Sequence, residues 1–147
     1  MSSISFFNAD VALKIINKKA LQAFILSIVQ EEGKSITSAT IIFCSDTYLL
    51  TLNRQFLNHD FYTDILTFDL SVNDSISGEI YVSVDRVKEN AAMLDIPFSQ
   101  ELNRIIFHGI LHLCGYKDKV KKDKVRMTQK ENEYLEKYSS FHVKQPN

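Results

Sequence analysis

Two histidines four residues apart, His108 and His112, stand in the most apolar stretch of the chain, residues 105–114. On a helix this spacing puts both imidazoles on one face, about 5–6 Å apart at Cβ. An imidazole in apolar surroundings is costly when charged and needs a partner when neutral. A metal ion bound by both rings meets either demand. One buried histidine is an ordinary hydrogen-bonded core residue. The pair, followed by the helix-stopping Gly115 and then by Asp118, points to a metal instead. A chain that folds back at Gly115 can bring the Asp118 carboxylate to the rings, and carboxylate oxygen is an ordinary zinc ligand. Cys114 follows His112 by two residues and so points about 200° around the helix. Cys114, and Cys44 inside an apolar run, are read as core packing. Three protein ligands leave a position open, the arrangement of catalytic rather than structural zinc.

The local sequence narrows the chemistry. Zinc peptidases place Glu directly after the first His as general base, and here that position is Gly109. A nucleic-acid deaminase needs His-x-Glu and Cys-x-x-Cys, and neither occurs. There is no Gly-rich phosphate loop and no Gly-x-Ser-x-Gly elbow. A metal-activated hydrolase remains, with its general base undeclared. The net charge of −1 hides an asymmetry: residues 1–100 carry 7 Lys/Arg against 12 Asp/Glu, and residues 101–147 carry 10 against 6. Most of the positive excess lies in residues 117–126, within reach of the histidine pair. By itself this run reads as a solvated helix start. Beside a Lewis-acidic ion it suits a phosphodiester better than a peptide.

The surrounding elements must hold that helix. Strands are expected at 4–7, 39–44, 64–70 and 78–84, from their β-branched and apolar content. A helix is expected over 10–32, with apolar residues at helical spacing, Asn8 or Asp10 as cap and Gly33 as stop. Asp46 is read as the cap of a second helix reaching Leu57, and residues 71–77 as a polar loop. A third helix over 85–95 ends before Pro97. Ser99 is read as the cap of the histidine helix, and a charged helix over 123–138 closes the chain. Helices and strands intermix without a regular βαβ repeat. The expectation is one α+β domain over 1–147, with a small four-stranded mixed sheet, about five helices and a buried ligand-bearing helix.

Composition agrees: 45% hydrophobic and 24% charged residues suit a globular domain rather than disorder or a coiled coil. No run approaches the roughly 18 apolar residues of a membrane span. Residues 1–10 lack a basic n-region and an apolar h-region, so no secretion signal is expected, and two cysteines make no disulfide framework. The expected location is the cytoplasm.

The segment His108-Gly-Ile-Leu-His112-Leu-Cys-Gly115-Tyr116-Lys-Asp118 resembles the signature of the YbeY family of bacterial metal-dependent endoribonucleases, which runs His-Gly-x-Leu-His-Leu-x-Gly-Tyr-Asp-His. Leu52-Asn53 followed by Tyr62-Thr63-Asp64-Ile65-Leu66-Thr67-Phe68, and Gly78-Glu79-Ile80-Tyr81-Val82-Ser83, agree in order and spacing. The resemblance extends from about residue 38 to Glu131. It implies a zincin-like fold, one zinc ion per chain and cleavage of single-stranded RNA. It also implies work on the ribosome, in maturation of the 16S 3′ end and in quality control. The partners it implies are ribosomal RNA, the ribosome and a ribosome-associated GTPase or small-subunit protein, with no membrane.

Two departures from the family pattern bear on the chemistry. Asp118 stands where the family has its third His, so the ligand set becomes His108, His112 and Asp118. Leu57 stands where the family has an Arg important for activity. Arg54, one helical turn earlier, and His59, in the following loop, are the candidate catalytic groups, each set against a reading as an ordinary surface residue. His142, in the tail, is given no role. The alternatives are a ribosome-binding assembly factor with a structural metal and little nuclease activity, and a zincin-like peptidase, which Gly109 opposes.

Overall fold

The computed structural model describes the backbone of residues 3–144 and the side chains of residues 3–141. His142 therefore lies outside the described side chains. The elements in chain order are β1 (Ser3–Asn8), α1 (Lys18–Glu31), β2 (Ser35–Cys44), α2 (Asp46–Leu57), β3 (Ile65–Asp69), β4 (Ser75–Ser83), α3 (Val84–Leu94), α4 (Phe98–Leu113) and α5 (Lys121–Lys144). The sheet order is β1-β2-β4-β3. β1, β2 and β4 run parallel, and β3 pairs antiparallel with β4 at one edge. This is the expected α+β mixed sheet with five helices. No helix among the described residues is long and apolar enough to cross a membrane.

Strand alternation divides the apolar side chains between two faces. Ala39, Ile41 and Phe43 of β2 join Ile80 and Val82 of β4 on the face covered by α1 and α4, against which α5 packs in turn. Cys44 and Leu66 face the other way, against Leu49 of α2. Helix α4 lies in the larger core, with Ile105, Ile106, Phe107, Ile110 and Leu111 almost fully excluded from water. Each such side chain contributes roughly 1.5–3 kcal/mol of burial energy, enough together to carry a polar stripe on the same helix.

Two glycines set how deeply α4 sits. A Cβ on Gly109 would stand 2.8 Å from Ile80 Cγ2, and one on Gly78 would stand 2.7 Å from both Leu113 Cδ2 and the Phe68 carbonyl oxygen. Gly109, read from sequence as the place of a missing catalytic Glu, is thus the point where α4 touches β4, and no longer side chain fits.

Several boundaries differ from expectation for identifiable reasons. Helix α1 begins at Lys18 rather than near residue 10. The Asp10 carboxylate is engaged by the Ser45 amide (2.7 Å) and hydroxyl (2.5 Å), and Asn17 is left-handed at φ 58°. Val11, Leu13 and Ile15 pack on the core at alternate positions of an irregular segment, and Ala12 and Ile16, which with Ile15 suggested a helical period, are exposed. Ser45, not Asp46, caps α2 by accepting from the Tyr48 amide, while Asp46 accepts from Arg86 Nε at 3.1 Å. Helix α4 starts at Phe98 after Pro97, leaving Ser99 within its first turn. Strand β4 takes in Ser75, Ile76 and Ser77, which pair with the early part of β2 and shorten the expected loop. Helix α5 begins two residues early and runs on to Lys144.

Replacing Gly109 by Ala should overpack the α4–β4 contact and cost about 1–3 kcal/mol. The check is the denaturant midpoint, which should fall without a change in slope.

Candidate metal centre and cleft

On α4 the polar residues Glu101, Arg104, His108 and His112 recur at spacings of three and four, forming one stripe along an otherwise apolar helix. Beyond Leu113 the helix closes with Cys114 as C-cap and Gly115 at φ 108°. The Gly115 amide donates to the His112 carbonyl and the Tyr116 amide to the Leu111 carbonyl, both at 3.0 Å, the paired bonds of a Schellman stop. The chain reverses here, and the expected convergence follows. His108 Nε2 and His112 Nε2 are 3.0 Å apart, and Asp118 Oδ2 lies 3.1 Å from the first and 3.3 Å from the second.

The other ring nitrogens decide what this trio can do. His112 Nδ1 lies 2.9 Å from the Tyr116 carbonyl oxygen, a group that only accepts, so Nδ1 carries the proton. His108 Nδ1 lies 2.5 Å from Glu131 Oε2 and donates to that carboxylate. With each Nδ1 engaged, both Nε2 atoms turn toward each other and toward a carboxylate oxygen, the convergence that a shared cation requires. Three donors at 2.0–2.1 Å around a tetrahedral zinc would be roughly 3.3 Å apart. The observed 3.0–3.3 Å matches that spacing, so the residues fit the ion. The side chains of His108, His112 and Asp118 are 15, 25 and 37% exposed, which leaves the group open on one side.

Behind the trio, Glu131 is buried and shares Arg104 with the fully buried Glu101. Arg104 Nη1 donates to Glu131 at 3.0 Å, while its Nε and Nη2 donate to Glu101 at 2.8 and 2.6 Å. The hydrogen bonds to Glu101 foremost push the Arg104 guanidinium pKa up, against the opposing effect of burial. Asn90 Nδ2 extends the chain to Asp64 Oδ2 at 3.2 Å. On the opposite side, Glu32 accepts from the hydroxyls of Tyr116 (2.7 Å) and Tyr134, anchoring the metal loop to α1 and α5. Burial works to raise the Glu32 pKa, but these bonds and Lys130 outweigh it and hold the carboxyl below its ordinary 4.5.

The trio opens into a cleft of about 560 Å³ between α4 and the β3 edge, lined also by Leu57, Asp64, Asp69, Arg104 and Lys119. Leu57 does stand on its wall. Arg54 pairs with Asp60 at the surface, and His59 stacks on Phe61 at 5.0 Å between centroids. Neither Arg54 nor His59 is among the cleft-lining residues. Cys114 and Cys44 are buried, and desolvation pushes their thiols up to about 11 and about 12, in keeping with core packing. Sequence reasoning passed over Glu101, Arg104 and Glu131. The stripe at helical spacing was a signal for the first two; Glu131 had none, because only the packing of α5 on α4 brings it to His108.

Fold and site define a histidine–carboxylate hydrolase scaffold, with the ligand-bearing helix laid on a mixed sheet and its open side toward a cleft. The model of the family described as Endoribonuclease YbeY matches residues 5–139. The Endoribonuclease YbeY of Flavobacterium psychrophilum is 45% identical over 139 residues, spanning 95% of this chain and 97% of the relative. That of Cytophaga hutchinsonii is 45% identical over 134 residues, spanning 90 and 94%. A Thermotoga maritima protein whose solution structure is known shares the fold with a TM-score of 0.67 and 31% identity, covering 97% of this chain and 93% of that one. The chain belongs to the endoribonuclease YbeY family. The nuclease reading is therefore favoured over the peptidase and over the assembly factor with a structural metal and little nuclease activity.

Two outcomes are expected. Glu131→Gln should lower metal affinity by roughly 10–100-fold, as loss of a ligand's hydrogen-bond partner does, read by chelator competition. For Glu32 the folded pKa lies below the unfolded one, so its contribution is present above about 4.5 and fades as the pH falls through the folded value. Glu32→Gln should therefore be less stable than wild type at pH 7, with the difference shrinking in acid, measured as denaturant midpoints across a pH series.

Proposed function

We propose that this protein is a zinc-dependent endoribonuclease that cleaves single-stranded RNA in the cytoplasm. Its role is in ribosomal RNA maturation at the 16S 3′ end and in ribosome quality control, with the ribosome and a ribosome-associated GTPase or small-subunit protein as partners. The observation that carries this reading is the trio itself: two Nε2 atoms and one carboxylate oxygen at tetrahedral spacing, with both Nδ1 atoms already engaged. His108, His112 and Asp118 would hold the ion, which when bound supplies Lewis acidity toward a phosphodiester oxygen.

The remaining work falls to the chain's own groups. Glu131 and the Tyr116 carbonyl fix the ring tautomers, so the donor atoms need no rearrangement. Arg104 offsets the charge of Glu101 and Glu131 beneath the site. The cleft has the volume of a small-ligand site, which suits one nucleotide unit splayed from a single strand better than a paired duplex. Asp118 in place of a third imidazole adds a negative charge that a phosphodiester must tolerate.

Protein purified without chelator should carry one zinc per chain and cleave single-stranded RNA. His112→Ala should lose the metal and slow cleavage at least about 100-fold. Asp118→Ala should weaken zinc binding, whereas Asp118→His should keep it. Absence of stoichiometric metal, or wild-type cleavage by His112→Ala, would overturn the assignment.

A further inference from the structure

Basic residues crowd the segment that follows the histidine helix, yet the fold sends them to different places. Lys119 alone among Lys117, Lys119, Lys121, Lys122, Lys124 and Arg126 lines the cleft that holds the trio. It follows Asp118 directly, so its backbone is fixed by the same turn. Its side chain makes no ion pair or hydrogen bond with the described residues. The other cation on the cleft wall, Arg104, has its guanidinium engaged by Glu101 and Glu131. The wall also carries the carboxylates Asp64, Asp69 and Asp118, so a phosphate entering it needs a cation that is still available.

A second depression, of about 290 Å³, shares no lining residue with the cleft and is lined by Tyr116, Lys117 and Arg126, with Asp123 as its acid. The Arg126 guanidinium stands over the Tyr116 ring at 5.6 Å, and the Tyr116 hydroxyl is tied to Glu32. Stacked on the ring, the guanidinium is held as a fixed cation on which a phosphate of a single strand can lie. Lys117 and Lys119 are two residues apart, and each lines a different one of the two depressions.

We infer that the 115–119 turn is a saddle for a single RNA strand, with Lys119 meeting the scissile phosphodiester in the cleft and Lys117 and Arg126 holding the neighbouring phosphate beyond it. The inference rests on the nuclease reading and specifies which groups touch the substrate. It sets Lys121, Lys122 and Lys124 aside, since these line neither depression.

The test uses zinc-loaded full-length protein, a single-stranded RNA for cleavage and its 2′-O-methyl counterpart for binding across a salt series. Lys119→Met and the pair Lys117→Met/Arg126→Gln should each lower the salt slope, by about 0.7 for every phosphate the protein no longer neutralises. Lys119→Met should also slow cleavage at least tenfold at saturating RNA, with Lys119→Arg restoring most of it. The pair should raise KM with little change in kcat. All variants should keep their zinc, and Lys122→Gln should match wild type throughout. Unchanged slope and cleavage in Lys119→Met, with an active wild type, would overturn the inference and leave the nuclease reading intact. A wild type that binds without cleaving, with the slope still lowered by Lys119→Met, would uphold the saddle and overturn the nuclease reading. A wild type that neither binds nor cleaves would overturn both.

Discussion

The close approach of α4 to β4 is the contact on which the rest depends. Gly109 and Gly78 remove two side chains from the place where helix and strand meet, and Ile80 and Leu113 fill the space. Helix depth and rotation are then set by hard-core repulsion, which is steep, rather than by hydrogen bonds, which tolerate tenths of an ångström. His108 lies directly before Gly109, and His112 one turn further along. The imidazoles are therefore placed with the accuracy of core packing while their edges remain at the cleft. A ligand pair on a looser helix would have to be ordered by the ion itself, and that cost would appear in the affinity.

From this seat two sets of hydrogen bonds reach outward. One runs from His108 through Glu131, Arg104 and Glu101 to Asn90 and Asp64, joining α5, α4, α3 and the approach to β3. The other runs from His112 to the Tyr116 carbonyl, and from the Tyr116 hydroxyl to Glu32 at the end of α1. The buried Glu101–Arg104–Glu131 group is expensive to desolvate, and as a packing device an apolar cluster would serve as well. Its position against His108 gives it a different use: it keeps a carboxylate ready to accept the Nδ1 proton, and so keeps Nε2 available. The Schellman stop at Gly115 does the same for His112 through the backbone alone.

Much of this was legible along the chain. The His108/His112 pair, the stop at Gly115, the acid at Asp118 and the four strands depend on local spacing, and local spacing survives folding. The errors also had local causes. Ala12, Ile15 and Ile16 continue the helical spacing of α1, yet the chain there is irregular and seats the alternate residues Val11, Leu13 and Ile15 on the core, and Asp10, a plausible cap, is held by Ser45 from 35 residues away. Asp46 looked like a cap beside the true one because Ser and Asp both serve at helix starts.

Sequence by itself determined which residues bear donors and which helix carries them, because a three-to-four-residue period and a glycine stop are properties of the backbone. It also determined the family, through three blocks in fixed order. Tertiary structure decided the rest: that Glu131 meets His108, that Arg104 faces inward to two glutamates, that Leu57 reaches the cleft while Arg54 and His59 do not, and that only Lys119 of its basic run lines that cleft. Each of these is a meeting between elements distant in sequence, or a choice of which side of a turn a residue occupies. Such meetings depend on helix depth and rotation, which follow from how whole surfaces pack rather than from any local pattern.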